Sequence, residues 1–409
     1  MQTLVKEKTN NLVYILGVIT AIIFSINDVL RGYPLFFVGI GIMLVSLFFF
    51  EFDDLFLYTI ILFPFLGSIK LMDIDLAFYS YYFILVAIKY FTKNQFNFKF
   101  CFSMLLFLLC VILTSTIYGN YNLIISESRE IISLLFLLSM FNYNSKYLNK
   151  AYIGKILQSA ILGTLISAIG FILQIRIGKN FATASFPCFV AIILLMSVFN
   201  KKISFFNIVS IILLIVAALV VESRTNLIVL LFVILIPILL LLDRRKIKYA
   251  IYLLFLMAVI IIIISTAFSD VLNVVLERFD SSDVNTGNGR TEIWGFYINL
   301  TCSSLVRFIF GNGHYSNYMH LINNHEHNSF VQVFSQFGMI GLCTWAFMYF
   351  NLFKQIISCK GKFRLSSIVP IICFIGCYMG IAASGATDFM CLFLCSCLII
   401  RYCRMENHK

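Results

Sequence analysis

A succession of apolar runs broken by short polar connections limits this chain to one kind of solvent. The runs begin near residues 12 to 27, 33 to 50 and 55 to 69 and continue to 389 to 403. Each approaches the ~17 to 25 residues a helix needs to cross hydrocarbon. With 61% hydrophobic and 12% charged residues, the 409-residue chain has too little polar surface to cover so much apolar mass in water. The bilayer is therefore its expected solvent. The expected fold is all-α, a polytopic integral membrane protein of about twelve to fourteen transmembrane helices.

The formal net charge of +11 could suggest a nucleic-acid partner, but the basic residues follow topology instead of forming one patch. Lys6 and Lys8 precede the first run. Basic clusters then recur at every second connection: Lys93 and Lys99, Lys146 and Lys150, Lys201 and Lys202, Arg244 to Lys248, Lys354 to Arg364, and Arg401 to Lys409. The positive-inside rule then predicts cytoplasmic N- and C-termini and no nucleic acid. The first run lacks a small-residue cleavage site before Asn27, Asp28 and Arg31, so it reads as a retained span. Eleven of the 12 cysteines sit within or beside apolar runs as small hydrophobes. Only Cys302 falls on the outer side, which gives no basis for a disulfide framework.

Three parts follow along the chain: transmembrane helices over 1–266, a large outer loop over 267–327, and C-terminal transmembrane helices over 328–409. The loop holds four of the 5 histidines, His314, His320, His325 and His327, together with Arg278, Arg290 and Arg307. Polar residues gathered on one side of a bilayer usually mark the working face. Within the loop, Arg290 to Phe310 has a pattern compatible with a helix lying at the interface, with Asn288 or Gly289 as its N-cap. Arg224, Arg129 with Glu127 and Glu130, and Asp388 lie at outer ends of other apolar runs. The resulting cationic outer layer runs against the positive-inside rule, and an anionic lipid head group is the simplest reason for it.

Arginine stays charged at every relevant pH and holds two phosphate oxygens at once, which suits Arg224 and Arg290 to a diphosphate at the membrane surface. Snorkelling to the interface, or pairing with Glu222 or Glu292, is the plainer alternative. Histidine can take a proton near neutral pH, so His327, with His325 as alternate, is a candidate general base for a hydroxyl attacking an activated sugar carbon. Solvated loop histidines remain the alternative. A zinc site is disfavoured, because no His-Glu-x-x-His helix, outer cysteine pair or carboxylate cluster accompanies these residues. No phosphate loop is present either, so a reaction here would be driven by its own substrate. A sugar on a lipid diphosphate fits that need.

These residues resemble the O-antigen polymerase and ligase superfamily. The resemblance is carried, in order, by Ser223-Arg224-Thr225 after an apolar run, Gly289-Arg290-Thr291-Glu292-Ile293-Trp294 in the outer loop, and Phe310-Gly311-Asn312-Gly313. His327-Asn328-Ser329-Phe330 then leads into Phe337-Gly338-Met339-Ile340-Gly341. It covers about 220 to 390, and the N-terminal half carries no matching motif.

The resemblance implies a GT-C-like, metal-independent glycosyltransferase without cofactors, in the bacterial cytoplasmic membrane with its active face outward. Its donor and acceptor would be undecaprenyl-diphosphate-linked glycans. Arg224 and Arg290 would hold the donor diphosphate and His327 would activate the acceptor hydroxyl. Asn328 and Asp388 would belong to the substrate site, and Arg129 to the acceptor side or to a structural ion pair. The wording of the loop favours a polymerase of repeat units over a ligase that moves polymer to lipid A-core. A transporter or flippase of the same glycan is the other class considered. Such proteins usually place polar sites near the midplane and show paired halves, neither of which is seen here. Exposed apolar spans would permit docking of a chain-length regulator and a flippase.

Overall fold

The computed structural model describes residues 2–30, 33–66, 70–71, 74–75, 82, 84–86, 88–89, 98–119, 149–173, 179–200, 202–221, 224–241, 247–267, 290–313, 328–357, 372–373, 375 and 387–407. The helices among them are α1 (Gln2–Leu30), α2 (Tyr33–Phe49), α3 (Phe52–Leu66), α4 (Phe98–Ile117), α5 (Lys150–Ile172), α6 (Lys179–Phe199), α7 (Phe205–Val220), α8 (Arg224–Leu241) and α9 (Ile247–Ala267). They continue with α10 (Arg290–Cys302), α11 (Leu305–Phe310), α12 (Ser329–Ile357) and α13 (Thr387–Asn407). The described residues are all-α, apart from a two-residue antiparallel pairing of Lys70–Leu71 with Ile74–Asp75.

The described helices other than α10 and α11 fall on the apolar runs, because a backbone in hydrocarbon must satisfy its own hydrogen bonds and a helix does so within one segment. Their starts are set by polar residues at the run ends. Asn149 caps α5 by accepting from the Tyr152 N–H at 2.9 Å, and Ser204 caps α7 by accepting from Asn207 at 3.1 Å. Lys89 donates to the carbonyls of Leu47 and Phe50 at the end of α2.

The core is continuous from α1 to α9 and takes in α12 and α13. Within it α3 lies between α1 and α5, α6 packs on α7, α8 and α13, and α4 packs on α12. Close approach at α3 depends on small residues, as expected where lipid supplies no hydrophobic drive between helices. A Cβ on Gly163 of α5 would stand 2.2 Å from the Ile61 carbonyl oxygen of α3. Backbone cannot rotate away as a side chain can. Gly163→Ala is therefore expected to cost about 1 to 3 kcal/mol, read as a lowered unfolding temperature in detergent. Inside this bundle the Thr20 and Tyr58 hydroxyls pair with each other at 2.9 Å.

The outside of the bundle is apolar. Phe48, Phe49 and Phe205 are each at least 80% exposed, an arrangement costly in water and neutral in lipid. Among the described residues, Lys150–Ile172 and Ser329–Phe347 are long and apolar enough to cross a bilayer, and five shorter apolar helices accompany them. Together these features describe a helical membrane protein. Two such helices do not establish the expected count of twelve to fourteen.

Two local expectations are corrected. The single helix over Arg290 to Phe310 is two, because Ser303 and Ser304 divert the backbone. Ser304 accepts from the Arg307 N–H at 3.3 Å and caps α11, while the Ser303 hydroxyl donates to the Leu300 carbonyl at 2.7 Å. The span after Asn328 is helical but broken at Gly338, whose φ of 66° and ψ of −161° leave the helical region.

Candidate functional site

The break at Gly338 organises the site. In an unbroken α12 the carbonyls of Ser335 and Gln336 would accept from residues four positions on. At the break they accept from the motif loop after α11. The Asn312 N–H donates to the Ser335 carbonyl at 2.7 Å and the Gly313 N–H to the Gln336 carbonyl at 3.1 Å. The Asn312 side-chain amide adds bonds to the same Ser335 carbonyl at 3.0 Å and to Thr301 Oγ1 of α10 at 2.8 Å.

Glycine is required on both sides of this contact. Gly311 has φ 79° and Gly338 has φ 66°, in the region L side chains rarely adopt. A Cβ on Gly311 would lie 2.3 Å from the Gln336 carbonyl oxygen, and one on Gly338 would lie 2.5 Å from the Gly311 nitrogen. Each glycine makes room for the other's backbone.

The unit is completed by α4, from the N-terminal half in which no motif was recognised. Thr114 donates to the Phe310 carbonyl at 3.2 Å, and the Tyr118 hydroxyl, just past the end of α4, donates to the Gly311 carbonyl. Burial raises the Tyr118 hydroxyl above the ordinary phenol value, with the Arg307 charge acting in the opposite direction. Phe107 of α4 meets Phe337 edge to face at 5.6 Å.

On its other side α10 lies along the start of α12, with Ile293 and Tyr297 buried beside Val331. The Thr301 hydroxyl donates to the Tyr297 carbonyl at 2.8 Å, which leaves its oxygen available to Asn312. Asn328 caps α12: its side-chain oxygen accepts from the N–H groups of Phe330 at 2.9 Å and Val331 at 3.2 Å. The Asn328 oxygen thereby serves the start of α12.

The candidate residues share a position in their elements. Arg224 is the first residue of α8, Arg290 the first of α10, Asn328 the cap of α12, and Asp388 the second residue of α13. A helix N-terminus offers free N–H groups and a positive dipole end, a setting that favours an anion and disfavours an arginine unless an anion accompanies it. Arg290 is half-buried. Arg290 and Asn328 are brought into one packed unit, whereas α8 and α13 pack on α6, with α13 also touching α12. His325, His327 and Arg129 lie outside the described residues, as do Asn288 and Gly289, the expected cap of α10.

Thr114, Tyr118, Thr301, Ser335 and Gln336 were not singled out from sequence. Ser335-Gln336 carried a signal nonetheless, being two polar residues inside an apolar run. Thr114 and Tyr118 carried none, since hydroxyl residues near a span end are ordinary.

No curated protein and no solved structure matches the chain. A family model described as O-antigen ligase matches residues 209–346, from α7 into α12. The match takes in Arg224, Arg290, the Phe310–Gly313 loop, His327 and Asn328, and leaves Arg129 and Asp388 outside it. That match, with the order in which these residues occur, supports the O-antigen polymerase and ligase superfamily for this region of the chain.

Proposed function

We propose that the protein polymerises undecaprenyl-diphosphate-linked oligosaccharide repeat units into O-antigen or a similar surface polysaccharide at the outer face of the bacterial cytoplasmic membrane. The observation that carries this reading is the locking of the helix headed by Arg290 onto the helix capped by Asn328. That arrangement brings a cation suited to phosphate into one packed unit with Asn328, the residue that follows His327 in sequence. Both termini are cytoplasmic in this reading.

His327 takes the proton from an acceptor sugar hydroxyl as the oxygen attacks the anomeric carbon of the donor. The new glycosidic bond forms while the bond from that carbon to the diphosphate breaks, and the diphosphate leaves with the electron pair. Arg224 and Arg290 stabilise the charge that develops on it, and its lipid tail stays in the bilayer. The leaving group is activated already, so the step uses neither nucleotide nor metal. Arg224→Lys keeps charge and loses the two-pronged geometry, so turnover is expected to fall about tenfold or more, measured with purified protein and lipid-linked repeat units.

The description of the matched family favours a second reading, transfer of finished polymer to lipid A-core. Deleting the protein from a host with lipid A-core and resolving its surface polysaccharide on a gel separates the two. Core bearing a single repeat unit identifies a polymerase. Bare core, with long polymer retained on the lipid carrier, identifies a ligase.

A further inference from the structure

Asn312 makes side-chain bonds that join α10 directly to the broken part of α12. One amide nitrogen reaches Thr301 Oγ1, at the end of α10, and the Ser335 carbonyl, at the break. The backbone N–H of the same residue also donates to Ser335. Both amide hydrogens are used, yet Asn312 Oδ1 is buried with no hydrogen-bond partner among the described residues. Leaving a buried acceptor unmatched is unfavourable, and an apolar residue of similar size would avoid it. The position therefore keeps asparagine for its two donors, and those donors tie together the two helices that carry Arg290 and Asn328.

We propose that Asn312 is a positioning residue, whose amide sets the register of the Arg290-bearing helix against the helix that follows His327. It touches no substrate. Its effect is to hold the diphosphate-binding cation and the base at a separation that suits one lipid-linked sugar. This inference rests on the roles assigned to Arg290 and His327 above.

The test uses the full-length protein purified in detergent, with Asn312→Ala, Thr301→Val and the double variant. Thr301→Val removes the partner oxygen at nearly constant volume, so it reads the same contact if Asn312→Ala accumulates poorly. Misplacing reacting groups by about 1 Å can cost ~100-fold, so kcat is expected to fall about tenfold to a hundredfold in each single variant. KM for the lipid-linked glycan should change far less, and the double variant should be no slower than the slower single one.

Amide hydrogen exchange supplies a readout independent of activity. Exchange in 290–302 and in 329–338 should quicken together, while α5 to α7 exchange as in the unmodified protein. Unchanged kcat, losses that multiply in the double variant, or quickened exchange throughout the bundle would each overturn the proposal. If the unmodified protein transfers no sugar from a lipid diphosphate, the functional reading fails, and the exchange pattern alone then decides whether Asn312 couples the helices.

Discussion

Gly311→Ala is expected to leave almost no folded protein in the membrane. The added Cβ would meet the Gln336 carbonyl oxygen at 2.3 Å, the Gln336 carbonyl carbon at 2.4 Å and the Phe337 nitrogen at 2.5 Å. All three atoms are backbone, so relief requires moving α12 or the loop as a whole. The residue's φ of 79° with ψ of −163° is itself a conformation nearly restricted to glycine. Strain and overpacking together should exceed about 3 kcal/mol, a large part of the stability of an ordinary domain. Gly295, in the middle of α10, supplies the control: a Cβ there meets nothing within 4 Å. Gly295→Ala should be neutral or should stabilise by up to about 1 kcal/mol through helix propensity. The measurement is the yield of monodisperse protein and its unfolding temperature in detergent. Equal behaviour of the two variants would mean that the loop does not seat against the break in α12.

His327→Ala and Arg290→Ala are expected to stop chain growth while the protein stays in the membrane at its normal level. Loss of a general base typically costs about 10²- to 10⁴-fold, and loss of a group that stabilises developing charge about 10²- to 10³-fold. Either places extension of lipid-linked repeat units below what a gel detects. The contrast with Gly311→Ala lies in the quantity that falls: the glycine change removes protein, whereas these remove turnover per molecule. Purified variants given lipid-linked repeat units separate the two directly. Full activity in both would show that the site assignment is wrong even for a chain of this family.

How much could be read in advance differs between scaffold and site. The apolar runs near 12 to 27, 33 to 50 and 55 to 69 became α1, α2 and α3, with ends displaced by about three residues or fewer except at the start of α1, which begins at Gln2. Composition and a period of membrane thickness suffice for that, because in hydrocarbon each backbone segment must satisfy itself. The motif residues Arg224, Arg290 and Asn328 were also legible, as polar breaks in an apolar text. Their common location at helix starts was only partly so: a cap was expected before Arg290, whereas the capping role of Asn328 was not foreseen.

The order of apolar runs and the places where polar residues break them are local properties, and the sequence by itself determined them. The tertiary structure alone decided that the Phe310–Gly313 loop enters the break at Gly338. It also decided that Thr114 and Tyr118, almost two hundred positions earlier, hold the loop there. The reason is physical. A glycine in a span can mark flexibility, close packing or a break, and only the backbone of its neighbour selects among these. Here the carbonyls of Ser335 and Gln336 flank the break, and the N–H groups of Asn312 and Gly313 donate to them.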